Sequence, residues 1–265
     1  MNKTKIEWTD MSWNPVTGCK HGCPYCYAER VAKRFGGYSL RAGDFRHEPL
    51  EGETCVLDMP LEVERSFNKM SKAPYPYDFA PTFHRYRLDE PALKTKPQTI
   101  FVCSMADLFG AWVPTSWIVE VLDACQRAPQ HRYLFLTKNP KRYIELDHLA
   151  LLPRQDNFWY GSTVTKGEDP ATWVRDIDCH WFVSIEPLHG PVDLTAGTGP
   201  MPEWVIIGAE TGNRAEKVEP EYEWIRQIVS DCRTFEIPVF MKDSLQGLWP
   251  HGFLTEFPWE VRYEG

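Results

Sequence analysis

What this sequence does without narrows the field first. Its 265 residues contain no apolar run long enough to cross a bilayer, and the opening "MNKTKIEWTD" lacks the apolar core of a secretory signal. A cytoplasmic address with no membrane partner is the expectation. No stretch of lysine and arginine is dense enough to form a cationic arm, and the formal charge is −8, so non-specific clinging to phosphate backbones is not expected. A local basic groove is compatible with that total. Internal repeats and low-complexity tracts are absent as well. Nor is there a disulfide framework: eight cysteines are scattered through a cytosolic-looking chain and only three of them cluster, which points to metal or redox chemistry there.

What is present is enough apolar and aromatic side chain to bury one large core. From residue 98 onward, short β-branched or aromatic runs alternate with helix-like runs, the pattern of βα units with parallel strands. The expected strands are 99–104, 133–137, 158–164, 181–186, 204–210 and 237–242, with a weaker one within 12–18. Ile118, Val121, Leu122 and Cys125 recur at helical spacing, as do Ile225, Ile228, Val229 and Cys232, so both cysteines belong to core faces. Asn139-Pro140 and Asp169-Pro170 each set a capping side chain before a proline suited to a first helical turn. The fold class is therefore α/β, a partial or irregular TIM-type (β/α) barrel spanning 1–265 as one domain. Residues 36–97 interrupt the alternation as an insertion or lid with one short helix at 60–71. Residues 187–202 join two strands with proline and glycine and no helical period.

The clustered cysteines lie in "GCKHGCPYCYAER", where Cys19, Cys23 and Cys26 form C-x3-C-x2-C. Three thiolates on a tight loop can ligate three irons of a cubane [4Fe–4S] cluster and leave the fourth iron open. Two other readings stand beside it. His21 could complete a Cys3His zinc site, although structural zinc more often draws on two separated pairs. Cys23-Pro24-Tyr25-Cys26 also has the frame of a thioredoxin-like redox motif, which leaves Cys19 without a role.

In a parallel barrel, reactive groups gather at the C-terminal strand ends. Ser104, Asp107, Thr137, Lys138, Ser162, Thr163, Thr165, Glu186, Glu210 and Lys242 all fall there. Each has a plainer role open to it: Asp107 caps a turn, Ser162 and Thr163 are strand residues, and Glu186 pairs with Lys138 or Lys242. Gly208 removes a side chain where a backbone or an adenine approaches, or simply serves a tight turn. Cys103, at a strand top, is a candidate hydrogen donor. The aromatics of "APYPYDFAPTFHRYRLDEP", with Arg85 and Arg87, suit either base stacking or the insertion's own small core.

The loop "CKHGCPYC", with Tyr25 before its third cysteine, resembles the signature of radical S-adenosylmethionine (SAM) enzymes. The segments "IEWTDMSWNPVTGC", "FVCSMADLF", "FLTKNP", "SIEPLHGP" and "VIIGAETG" look like landmarks of a phage-associated family of unknown function usually placed with that group. The resemblance covers most of the chain outside 36–80. It implies a [4Fe–4S] cluster on Cys19, Cys23 and Cys26 and SAM chelating the open iron. One electron, from a donor such as flavodoxin or ferredoxin, then cleaves SAM to methionine and a 5′-deoxyadenosyl radical that abstracts hydrogen from an unknown substrate. Under it Tyr25, Ser104, Asp107, Lys138, Ser162, Thr163, Gly208 and Glu210 contact the cofactor, Asp107 near the SAM amino end, while Glu186 and Lys242 join the catalytic set. Phage association tilts the substrate towards nucleic acid or nucleotide. The rival is a non-catalytic α/β binding module stapled by zinc.

Overall fold

In the computed structural model, residues 1–36, 55–66, 69–167, 177–196, 200–212 and 217–260 are described. The chain divides into two compact units, Met1–Phe135 and Leu136–Gly265. The fold is mixed α/β with mostly parallel main strands, four in each unit, and four α-helices among the described residues.

The first unit runs β1 (Asn2–Lys3), β2 (Met11–Trp13), β3 (Val16–Thr17), α1 (Tyr27–Phe35), β4 (Cys55–Leu57), β5 (Glu62–Ser66), β6 (Lys69–Lys72), β7 (Thr82–His84), β8 (Thr99–Val102), α2 (Thr115–Gln126) and the start of β9 (Arg132–Thr137). Its main strands lie in the order β1-β2-β8-β9, antiparallel only at the β1 edge. Trp13 aligns with Val102 and Phe135, and all three are buried. The expected face of α2 is there: Ile118, Val121, Leu122 and Cys125 are each at most 1% exposed. Burying side chains of this size gains about 1.5–3 kcal/mol apiece.

The region 36–97 contributes strands rather than the helix expected at 60–71. β5 and β6 pair as an antiparallel hairpin, and β4 and β7 join β3 in a small three-stranded sheet. Leu61 and Val63 alternate with Glu62 and Glu64, a period of two that favours strand. Phe83 of β7 is fully buried against Trp117 of α2, and Arg85 is held by Glu120 of α2 at 2.8 Å and by Asp58 at 2.9 Å, so these residues tie the insertion to α2.

The second unit carries the end of β9, α3 (Lys141–His148), β10 (Phe158–Val164), β11 (His180–Ile185), β12 (Trp204–Ile207), α4 (Tyr222–Thr234) and β13 (Val239–Met241). Strands β10 to β13 are parallel in sequence order. As expected, α3 begins directly after Asn139-Pro140: Pro140 has helical dihedrals, and the Asn139 carbonyl accepts from the Arg142 N–H at 3.0 Å. Asp169-Pro170 lies outside the described residues. Between β11 and β12 the described residues contain no helix, as the proline and glycine there imply. No helix among the described residues is long and apolar enough to cross a membrane.

Candidate functional site

The cysteine loop of the first unit is positioned by main chain. Beyond β2, the Asn14 side-chain oxygen accepts from the Ser104 hydroxyl at 3.2 Å and the Met105 N–H at 2.9 Å, tying the ends of β2 and β8 together. Gly18 then turns the chain at φ +86°, donating to the Met105 carbonyl at 2.9 Å, and Cys19 donates to the Phe79 carbonyl at 3.2 Å. A β-carbon on Gly18 would lie 2.3 Å from the Ala80 carbonyl oxygen, so only glycine permits this approach. At the other end Cys26 donates its N–H to the Cys23 carbonyl at 3.0 Å, and its Sγ accepts from the Glu29 N–H at 3.3 Å. Cys26 is thus the N-cap of α1.

None of the three cysteines is in a disulfide, and all are half-buried. Burial pushes the Cys19 thiol up to about 12, reinforced by Asp107 and by Cys23 and Cys26, against a backbone hydrogen bond from His21. The three sulfurs therefore sense one another, and Cys19 keeps its proton at neutral pH until a cation displaces it. Among the described residues no three His, Cys, Asp or Glu side chains are already gathered to hold a metal ion. The donor set fits a thiolate-ligated metal in chemistry; the side chains must turn together to ligate one.

Asp107, 5% exposed, performs two tasks. One carboxylate oxygen accepts from the Phe109 N–H at 3.0 Å, capping the turn, and the other meets His21 Nε2 at 2.7 Å. Trp112 packs edge-on against the His21 ring, with centroids 4.8 Å apart. His21 is thereby held from the side of β8, which leaves its Nδ1 for any further partner. Tyr25 is half-buried, and Tyr27 donates its hydroxyl to the Ser104 carbonyl at 2.6 Å. Cys103 lies at φ +62° and is 2% exposed, its thiol pushed up to about 12 chiefly by burial.

In the second unit, register decides which expected residues meet. Thr163, Ser184, Ile206 and Phe240 stand side by side, and so do Val164, Ile185, Ile207 and Met241. Side chains alternate faces along a strand, so one step further Glu186, Gly208 and Lys242 share the face of Thr163 and Ser184. Ser162 sits on the opposite face, level with Val183, Val205 and Val239, and is fully buried. Lys242 Nζ is ion-paired with a Glu186 carboxylate oxygen. Of the two lysines expected to meet Glu186, it is Lys242 that does. A β-carbon on Gly208 would lie 3.0 Å from Lys242 Cδ and 3.2 Å from Glu186 Cγ, so the glycine leaves the space over which the pair closes. Lys138, just past β9, is half-buried.

The loops beyond these strands are joined by backbone bonds. Leu188 donates to Gly208, Lys242 to Ile207, and His189 to Thr165, at 2.9, 2.9 and 2.7 Å. Glu210, 4% exposed, meets His189 Nε2 at 2.9 Å, and the Ser244 hydroxyl accepts from the Ala209 N–H at 2.9 Å. The Ser184 hydroxyl is buried without a hydrogen-bond partner. His189 and Asn14 are the residues that sequence reasoning passed over. His189 lies three positions after Glu186 in "SIEPLHGP", a histidine in a proline–glycine loop, but nothing local announces Glu210, 21 residues on.

Residues 3–252 match the family described as "Protein of unknown function (DUF5131)", and the chain belongs to that family. No curated protein and no solved structure matches it.

Proposed function

We propose that this chain is a radical SAM enzyme in which Cys19, Cys23 and Cys26 hold three irons of a [4Fe–4S] cluster and the fourth is left to SAM. The observation that carries the reading is the loop itself: three half-buried cysteines, none in a disulfide, at the tip of a parallel βα unit. When bound, such a cluster supplies the electron that cleaves SAM to methionine and a 5′-deoxyadenosyl radical, which takes a hydrogen atom from substrate. The chain's own residues do the rest. The Glu29 N–H donates to the Cys26 sulfur, a contact of the kind that tunes cluster potential. The His21–Asp107 bond holds the middle of the loop, and Tyr25 and Ser104 border it.

In the second unit Lys138, Thr163, Gly208 and Glu210 are read as cofactor contacts, and Glu186 and Lys242 as the charged pair facing substrate. Ser162, on the opposite face, is better suited to support β10. The parallel strands belong, on this reading, to an irregular (β/α) barrel. The protein acts in the cytoplasm, takes its electron from a flavodoxin- or ferredoxin-type donor, and, by the phage association of the family it resembles, acts on a substrate of nucleotide or nucleic-acid character.

A second reading is favoured by one observation. A carboxylate on the far nitrogen of a metal-binding histidine is a common support for zinc, and Asp107 on His21 Nε2 leaves Nδ1 free to ligate. Anaerobic reconstitution separates the two: the radical SAM reading expects about four iron and four sulfide per chain. Reduced protein with SAM should then release 5′-deoxyadenosine, and Cys23→Ala should abolish both cluster and release. Tightly held zinc without cluster absorbance would establish the staple instead.

A further inference from the structure

The first helix carries an exposed basic face, anchored at its start by the Tyr27 hydroxyl on the Ser104 carbonyl. Tyr27, Arg30 and Arg34 recur at i, i+3 and i+7, which aligns them on one face of α1, and all three are exposed. Ala28 and Ala32, on the other side, are the helix's buried residues. Lys33 is paired with Glu29 at 2.7 Å and also feels Asp78, so the nearby acidic groups are committed to that lysine. Among the described residues neither Arg30 nor Arg34 has an acidic partner; Arg34 lies over the Phe35 ring, 5.4 Å from its centroid. Tyr27 and Phe35 are 48% and 42% exposed, and Lys20 is exposed within the cysteine loop. In a chain of formal charge −8, this is a local basic and aromatic strip. It begins one residue after Cys26 and extends about 10 Å along the helix axis.

We infer that the exposed face of α1 is the docking surface for an acidic, low-potential electron-transfer protein. The inference rests on the radical SAM reading: a cluster on Cys19, Cys23 and Cys26 must receive one electron per SAM cleaved. The donor is oxidised by one electron, and the cluster is reduced by one. The strip lies beside the only three clustered thiols of the sequence. Opposite charge steers encounter, and electron-transfer contacts are characteristically small, which suits a strip of two arginines flanked by two aromatic rings. A long polyanion such as nucleic acid matches it less well, because the strip is short and the rest of the chain carries net negative charge.

The test uses the reconstituted full chain and its Arg30→Glu/Arg34→Glu variant, whose substitutions lie on an exposed face. SAM cleavage is driven either by reduced flavodoxin or by dithionite, and binding of oxidised flavodoxin is measured at low and high salt. The expected result is that flavodoxin-driven cleavage and flavodoxin binding both fall at least about tenfold in the variant, and in the native chain at high salt. Dithionite-driven cleavage should be unchanged. Flavodoxin-driven rates and binding equal in the two proteins would overturn the surface. So would loss of binding of a single-stranded oligonucleotide in the variant with flavodoxin binding unaffected. Absence of dithionite-driven cleavage in both proteins overturns the radical SAM reading instead, and flavodoxin binding still decides the surface.

Discussion

The strand ends of the two units differ in where glycine is used. In the first, main-chain bonds from Gly18 and Cys19 fix the start of the loop, and the His21–Asp107 contact and the Cys26 cap on the Glu29 N–H hold the rest. In the second, Lys242 and Glu186 close over Gly208, and His189 meets Glu210 in loops that backbone bonds also join. A site held by backbone keeps its shape while its side chains change partners, as ligand exchange on a metal requires. A site held by ion pairs changes shape when a charged ligand competes for either member. The first arrangement suits a resident cofactor, and the second suits a substrate that comes and goes.

The contrast can be broken most sharply at the glycines. Gly18→Ala puts a β-carbon 2.3 Å from a backbone oxygen at positive φ, and should destabilise the protein by about 3 kcal/mol or more. Urea denaturation with an unchanged slope would measure this. A loss under 1 kcal/mol would mean that the loop is not held by its backbone.

The next effect is a pH dependence confined to the first unit. His84 is fully buried beside Thr17, at 2.9 Å, and burial, aided by Arg87, depresses its imidazole from 6.5 to about 2. The unfolded chain takes up that proton near pH 6.5 and the native chain does not until about pH 2. Stability from His84 is thus complete above pH 6.5 and is lost as pH falls below it, by at most about 1.4 kcal/mol per pH unit. His84→Asn should flatten the acid limb between pH 6.5 and 4.5 by that slope. Parallel limbs in the two proteins would remove His84 from the account.

Smaller effects belong to the second unit. Lys242→Met leaves Glu186 without its cation and should cost about 1 kcal/mol, while adding Glu186→Gln recovers part of the loss. A double-mutant cycle with no coupling would show that the pair does not close the site. Gly208→Ala should cost less than about 1 kcal/mol, because the atoms it meets are in flexible side chains, and it should reduce that coupling. A Gly208 penalty as large as that of Gly18 would erase the distinction between the units.

Much of the scaffold could be read locally. Strand 158–164 and the core faces of α2 and α4 follow from hydrophobic period, and the C-x3-C-x2-C spacing is visible at sight. The hairpin at β5 and β6 was not, because a charged segment offers a helical and a strand period at once, and pairing between its two arms decides. The partnership of His21 with Asp107 spans 86 residues, and that of His189 with Glu210 spans 21. Such pairs are set by which strands lie together, so no window of sequence contains them. The same register separates Ser162 from Thr163, neighbours in sequence that face opposite ways.

One amide carries a message beyond its place in the helix. The Glu29 N–H donates to the sulfur of Cys26, so whatever binds that sulfur changes the charge on the acceptor of a single backbone proton. Hydrogen exchange at Glu29 therefore becomes a gauge of loading. It is readable by NMR without a chromophore, without substrate and without turnover, and it reports on the loop from the residue where α1 begins.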